Sequence, residues 1–239
     1  MSGKRKVALT GAAGRIGTAY RKHAHERYDL RLVDVVPVPD PGCHESLVLN
    51  LADPEQAARA CAGMDTVLHL AANPYTHAEF YADLLEPNIK GVYNVYRAAK
   101  DAGCRRVIFA SSINAVGAYD PDRQIRPEDA PWPRNVYGAS KAWGESLGAY
   151  FAHIEGLSVL CVRIGWFLPP EKLADKPEGA RLIWVSPRDL CQLFDRCIDA
   201  EDIPFAIVHG VSRNRHLRLD LSATRRLLGY DPQDDAFAL

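Results

Sequence analysis

The run KVALTGAAGRIG at residues 6–17 constrains the chain more than any other stretch. A short apolar segment of strand character (6–9) enters glycines at 11, 14 and 17, and a helical pattern occupies 15–27. A strand that turns through glycines into a helix leaves the first helical amides pointing beyond the strand end. Gly11, Gly14 and Gly17 permit the tight turn and the close approach of backbone to a bound phosphate. Ile16 and Arg15 lie within the same turn, and Arg15 serves either a phosphate or the solvated first turn. The spacing is G-x-x-G-x-x-G, not G-x-G-x-x-G, so the loop carries little weight without its context.

The context is a regular alternation. Apolar runs at 6–9, 30–35, 46–50, 66–71, 106–111, 157–164 and 204–209 read as strands. Several are apolar almost throughout, as strands covered on both faces require. Helical patterns fall between them at 15–27, 54–62, 88–102, 137–154 and 187–200. Strand–helix alternation predicts an α/β fold: a Rossmann-like, doubly wound parallel sheet with helices on both faces. Two segments rich in proline and charge, 119–134 and 169–179, read as loops. The chain reads as one domain over 1–239, with a small substrate-facing cap mainly from about 165 to 239.

Composition removes several function classes. The chain has 239 residues and a formal net charge of −1, which favours neither nucleic acid nor an anionic membrane surface. No apolar run reaches the roughly 18 residues a membrane span needs. The N-terminal stretch MSGKRKVALTG lacks an apolar signal core, so the expected location is cytoplasmic. The six cysteines form no C-x-x-C pair and read as free thiols, and the eight histidines show no metal-ligand spacing, so no metal is expected.

The second strand ends in Asp34, 17 residues beyond Gly17. A carboxylate there accepts hydrogen bonds from both ribose hydroxyls of an adenosine and repels a 2′-phosphate, which selects NAD over NADP. Asn50 and Leu51 end the third strand, where an adenine edge would rest. Leu70, Ala71, Ala72 and Asn73 close the fourth strand with mostly small residues, as backbone packed on a cofactor requires.

The fifth strand ends in Ser111 and Ser112, and ligands of open α/β sheets bind beyond the carboxyl ends of strands. Tyr137 and Lys141 stand one turn apart on the helical pattern that follows. A tyrosine titrates near 10, too high for a base at neutral pH. A neighbouring ammonium and a positive nicotinamide both favour phenolate. Serine, tyrosine and lysine together then form a proton-transfer site beside a hydride acceptor.

TGAAGRIG, Asp34, HLAA, Ser112 and YGASK, in that order, resemble the extended, epimerase-like branch of the short-chain dehydrogenases/reductases. The resemblance implies that Ser112, Tyr137 and Lys141 are catalytic, Ser112 being preferred to Ser111, and that Lys141 also holds the nicotinamide ribose. Asn88 matches that family's N-x-x-G; it positions the lysine or a water, or caps the helix. LRLVD, NIKGVYNVYRAA, FASS, VRIG with Ile164, and the tail from 210 to 237 resemble the uronate dehydrogenases within it. This resemblance implies an anomeric hydroxyl oxidised to a lactone, and it places a carboxylate-binding arginine at Arg181. Ser111, Ile113, Asn114 and Trp166 fall among the substrate-facing positions, with Asn73. Ile113, Asn114 and Trp166 depart from the uronate dehydrogenase pattern, which leaves a neutral aldose, a deoxysugar, a sugar phosphate or another alcohol open. An epimerase or dehydratase that retains its NAD is the alternative activity. The resemblance also implies a homodimer through the helices at 88–102 and 137–154, with Tyr93, Tyr96, Tyr150 and Phe151 as the apolar contact.

Overall fold

The structure is a computed structural model that describes residues 3–239. Seven parallel strands form its sheet in the order β3-β2-β1-β4-β5-β6-β9. They are β1 (Lys6–Thr10), β2 (Asp29–Asp34), β3 (Glu45–Val48), β4 (Thr66–His69), β5 (Arg106–Ser112), β6 (Ser158–Ile164) and β9 (Phe205–Gly210). The chain runs outward from β1 to β3 and then returns to β4 on the other side of β1. That reversal opens a crevice at the carboxyl ends of β1 and β4, where such sheets bind ligands.

Both faces of the sheet are covered. Helices α1 (Arg15–Ala24), α6 (Pro187–Asp199) and α7 (Ser222–Leu228) share one buried cluster with Leu9, Leu32, Ile108 and Val208. On the other face, α2 (Pro54–Cys61), α3 (Gly91–Asp101) and α4 (Val136–His153) pack on Val67, Val107, Phe109 and Val159. Burial on both sides explains why β4 and β5 are buried at every position. Two departures from strict periodicity matter for the site. A wide π-type helix with Pro87 inside it occupies Phe80–Lys90 and leads into α3 at Gly91. A short parallel pair, β7 (Trp166–Phe167) and β8 (Trp184–Val185), with α5 (Glu178–Arg181) between them, forms the cap beyond β6.

A buried ion pair ties β6 to α4 beneath the site. Arg163 donates to Glu145 from Nε and Nη2, both at 2.9 Å, and both side chains are excluded from solvent. Glu145 also accepts from Ser111 Oγ at 2.6 Å. The carboxylate therefore has three donors, which is what makes a charge tolerable in a sheet-helix interface.

Of the tyrosines and phenylalanine expected at a dimer contact, Tyr96 and Phe151 instead face inward, their rings stacked at 5.4 Å. Their positions on α3 and α4 turn them toward the sheet, and only Tyr93 and Tyr150 of the four are exposed. Among the described residues no helix is long and apolar enough to cross a membrane.

Candidate active site

The crevice has a volume of about 990 Å³, at the upper end for a small-molecule site. Its walls come from the glycine turn, the ends of β2, β4, β5 and β6, the start of α4 and the cap. All the candidate site residues line it except Asn88 and Arg181.

At one end lies the glycine turn. An added Cβ on Gly17 would stand 2.1 Å from Gly11 O, and one on Gly11, whose φ is +69°, would stand 2.8 Å from Ala71 N. Neither position admits a side chain, so the turn presses against β4 with bare backbone. The N-terminus of α1 has no side-chain cap, whereas Asp53, Asn135 and Ser186 cap α2, α4 and α6. First-turn amides left to solvent, at a positive helix end, suit a pyrophosphate. Asp34 faces the same turn: its Oδ2 accepts from Ala13 N at 2.9 Å and its Oδ1 from Val35 N at 2.8 Å. These donors, the bare turn and the carboxylate fit a dinucleotide with free ribose hydroxyls.

At the other end lies the hydroxyl chemistry. Asn135 caps α4 by accepting from Gly138 N at 2.7 Å. A Cβ on Gly138 would stand 2.2 Å from Asn114 O, so glycine after Tyr137 lets α4 seat directly on the turn that follows β5. That seating brings Tyr137 to Ser112. Ser112 Oγ accepts from Asn114 N at 3.1 Å and from Asn114 Nδ2 at 3.2 Å. Both lone pairs of the hydroxyl are then taken, and its proton remains to be donated. Ser111, one residue earlier, points the opposite way and donates to Glu145. Its backbone lines the crevice, but its hydroxyl is committed.

Tyr137 and Lys141 are both buried. Burial raises the phenol, and the Ser112 hydrogen bond opposes that shift. The ammonium of Lys141 lies 5.6 Å from the Tyr137 ring centre and 5.1 Å from that of Phe109. Desolvation pushes Lys141 down to about 8. The sequence leads one to expect the lysine to hold the phenol down; in the protein alone burial raises it, and the group that opposes burial is Ser112.

Two candidate residues lie outside the lining of the crevice. Asn88 neither caps α3 nor reaches the crevice. It lies at the end of the π-type helix, where Oδ1 accepts from Asn73 N at 2.8 Å and Nδ2 donates to Asn73 O and to Ser140 Oγ, both at 3.1 Å. It thus joins the exit of β4 to α4 beside Lys141. Arg181, at the end of α5, turns to the C-terminal tail: Nη1 donates to Ala236 O at 3.1 Å and the guanidinium lies over Phe237. A four-residue helix between β7 and β8 aims it away, and Ile183 meets the crevice instead.

Sequence reasoning missed Gly138, Asn135, Arg134, Arg218, and the Glu145–Arg163 pair. Only Asn135 and Gly138 carried a local signal, an Asn before a helical run with a small residue in its first turn. Trp166, by contrast, is half-exposed in the crevice wall and does not fill the core.

The family model described as the NAD dependent epimerase/dehydratase family matches residues 7–183. A protein named NAD-dependent glucose-6-phosphate dehydrogenase, from Haloferax volcanii, is 37% identical over 96% of this chain and 94% of its own. An L-arabinose 1-dehydrogenase (NAD(P)(+)) of the same organism is 35% identical over 97% of both chains. The crystal structure of a variant uronate dehydrogenase from Agrobacterium tumefaciens, complexed with NAD, superposes with a TM-score of 0.87 at 30% identity, covering 99% of this chain and 87% of that one. With a bare glycine turn, an acid at the end of β2 and a Ser-Tyr-Lys set at the switch point, the chain belongs to the NAD dependent epimerase/dehydratase family.

Proposed function

We propose that the protein is an NAD-dependent sugar dehydrogenase that oxidises the anomeric hydroxyl of a small sugar or sugar acid to a lactone. The observation that carries this reading is the Ser112–Tyr137–Lys141 set, lining one crevice with the uncapped α1 terminus and Asp34. It agrees with relatives named for glucose 6-phosphate, L-arabinose and uronate, which share the oxidation of a sugar.

The glycine turn and Asp34 would hold the cofactor's pyrophosphate and adenosine ribose. NAD⁺, when bound, supplies the acceptor for the hydride that leaves the anomeric carbon. Tyr137 as phenolate takes the hydroxyl proton, and the oxygen's electron pair closes the carbonyl of the lactone. Ser112, whose proton faces the phenol in the protein alone, donates it to the reacting oxygen and so holds that oxygen near Tyr137. Lys141 stands beside the phenol, where its charge favours phenolate.

We also propose a cytoplasmic location, supported by six unpaired cysteines, and a homodimer built on the exposed Tyr93 and Tyr150. A sedimentation experiment that finds only monomer at micromolar concentration refutes the dimer.

The test of the activity is NADH formation from NAD⁺ over a panel of aldoses, uronates, deoxysugars and sugar phosphates. Turnover with net NADH supports a dehydrogenase. Sugar conversion without net NADH favours an epimerase or dehydratase that returns its hydride.

A further inference from the structure

Five charged side chains line the crevice: Arg15, Asp34, Arg134, Lys141 and Arg218. The one carboxylate lies at the glycine-turn end and is occupied by the amides of Ala13 and Val35. Arg15 belongs to the same end, as the first residue of α1. Arg134 and Arg218 lie elsewhere. Arg134 immediately precedes Asn135, the cap of α4, and so stands three residues before Tyr137. Arg218 comes from the segment between β9 and α7.

Several of the protein's arginines are ion-paired. Arg163 is held by Glu145, Arg97 by Asp101 and Glu155, and Arg31 by Glu45. Arg134 makes no hydrogen bond or ion pair among the described residues. The Arg218 side chain makes one hydrogen bond, from Nη2 to Tyr119 O at 2.7 Å, and its Nε is buried without a partner. Both guanidinium groups belong to the lining of one crevice, and Arg134 adds to burial in depressing the titration of Arg218. Asp120 offsets part of this, but it does not line the crevice.

Arg134 is exposed and Arg218 half-buried, and at their end of the crevice no carboxylate lines the wall, so the cavity there presents positive charge to an anion. Guanidinium forks match the oxygens of a phosphate, and two of them match its double charge. A single carboxylate would leave one charge over. Arg181, the arginine that the sequence resemblance matched to a carboxylate, is meanwhile committed to the tail.

We infer that Arg134 and Arg218 form a phosphoryl-binding subsite and that the preferred substrate is a phosphorylated sugar. This rests on the dehydrogenase reading for the oxidation, not for the anion binding. The phosphate lies at the cap side of the crevice, and the hydroxyl to be oxidised lies at Ser112 and Tyr137. Arg134 joins the two ends through the first turn of α4, so seating the phosphate also seats the helix that carries the phenol.

The experiment compares three substrates on one skeleton: glucose, glucose 6-phosphate and glucuronate, a neutral, a doubly charged and a singly charged group at one carbon. A second pair, ribose and ribose 5-phosphate, guards against the wrong ring. Binding of inorganic phosphate to the protein with NADH is measured in parallel by calorimetry. The expected result is a kcat/KM for a sugar phosphate about tenfold or more above its parent sugar. Arg134→Gln and Arg218→Gln each reduce that ratio about tenfold and weaken inorganic phosphate binding, whereas Arg226→Gln, on the outer face of α7, changes neither. A wild-type ratio near one, a preference for glucuronate, or a ratio and phosphate affinity unmoved by both arginine variants overturns the inference and leaves the dehydrogenase reading intact. Arginine-dependent phosphate binding without NADH from any sugar keeps the subsite and overturns the dehydrogenase reading.

Discussion

The Asp34 carboxylate accepts a hydrogen bond from the amide of Ala13 at 2.9 Å. The acid at the end of β2 thus grips the glycine turn that the cofactor must lie upon. We propose that it also presents the charge that rejects a 2′-phosphate.

Asp34→Ser therefore changes cofactor choice and weakens the turn together. The kcat/KM with NAD⁺ falls by about tenfold or more, the cost of a charge-assisted pair of hydrogen bonds, while that with NADP⁺ rises. Steady-state kinetics with both cofactors checks this, and an unchanged preference removes Asp34 from cofactor selection.

Gly17→Ala places a methyl group 2.1 Å from Gly11 O and 2.8 Å from Ala12 Cα. Backbone on both sides cannot yield, so α1 shifts away from β1. The expected outcome is loss of NAD binding by calorimetry with a stability cost of about 1–3 kcal/mol. Wild-type affinity in this variant would show that the cofactor does not use the turn.

Tyr137→Phe keeps the ring in its buried place and removes the proton acceptor. The kcat falls by a factor of about 10² to 10⁴, while the NAD Kd changes little. A near-full rate in the variant ends the proposed role of the phenol.

Two buried histidines make the fold sensitive to acid. Burial pushes His69 down to about 3 and His209 down to about 4, and Nε2 of each lacks a partner. Both are neutral in the folded protein but take up protons near 6.5 when unfolded. The unfolded chain binds more protons as pH falls from about 6.5 toward 4, so stability drops through that window. Denaturant midpoints at pH 7.5 and 5 measure the drop. His209→Gln makes it shallower, and an unchanged slope would locate the acid sensitivity elsewhere.

Glu145→Gln tests the support under the site. It leaves Arg163 buried with an unpaired charge, which costs about 3–5 kcal/mol. Thermal unfolding reads this directly. A loss below about 1 kcal/mol would show that the pair is not a determinant of the α4–β6 packing.

The local parts of the fold and site were legible in the amino-acid sequence. The seven strands, the glycine turn, Asp34 and the Tyr137–Lys141 spacing are written in periods of two and 3.6 residues and in glycines at a strand end. Each needs only near neighbours for its expression, so each could be read without the fold. The tertiary structure decided what joins distant segments. Packing turned Ser111 to Glu145 and Arg181 to the tail, and it set Asn88 between Asn73 and Ser140. It also brought Arg218 and Arg134, 84 residues apart in the chain, into the lining of one crevice. No local pattern specifies such meetings, because they depend on how crossovers and loops close over the sheet. The chemistry of a site carried by one strand end and one helix was therefore visible from sequence, whereas the substrate-facing wall, assembled from several separate segments, emerged only in three dimensions.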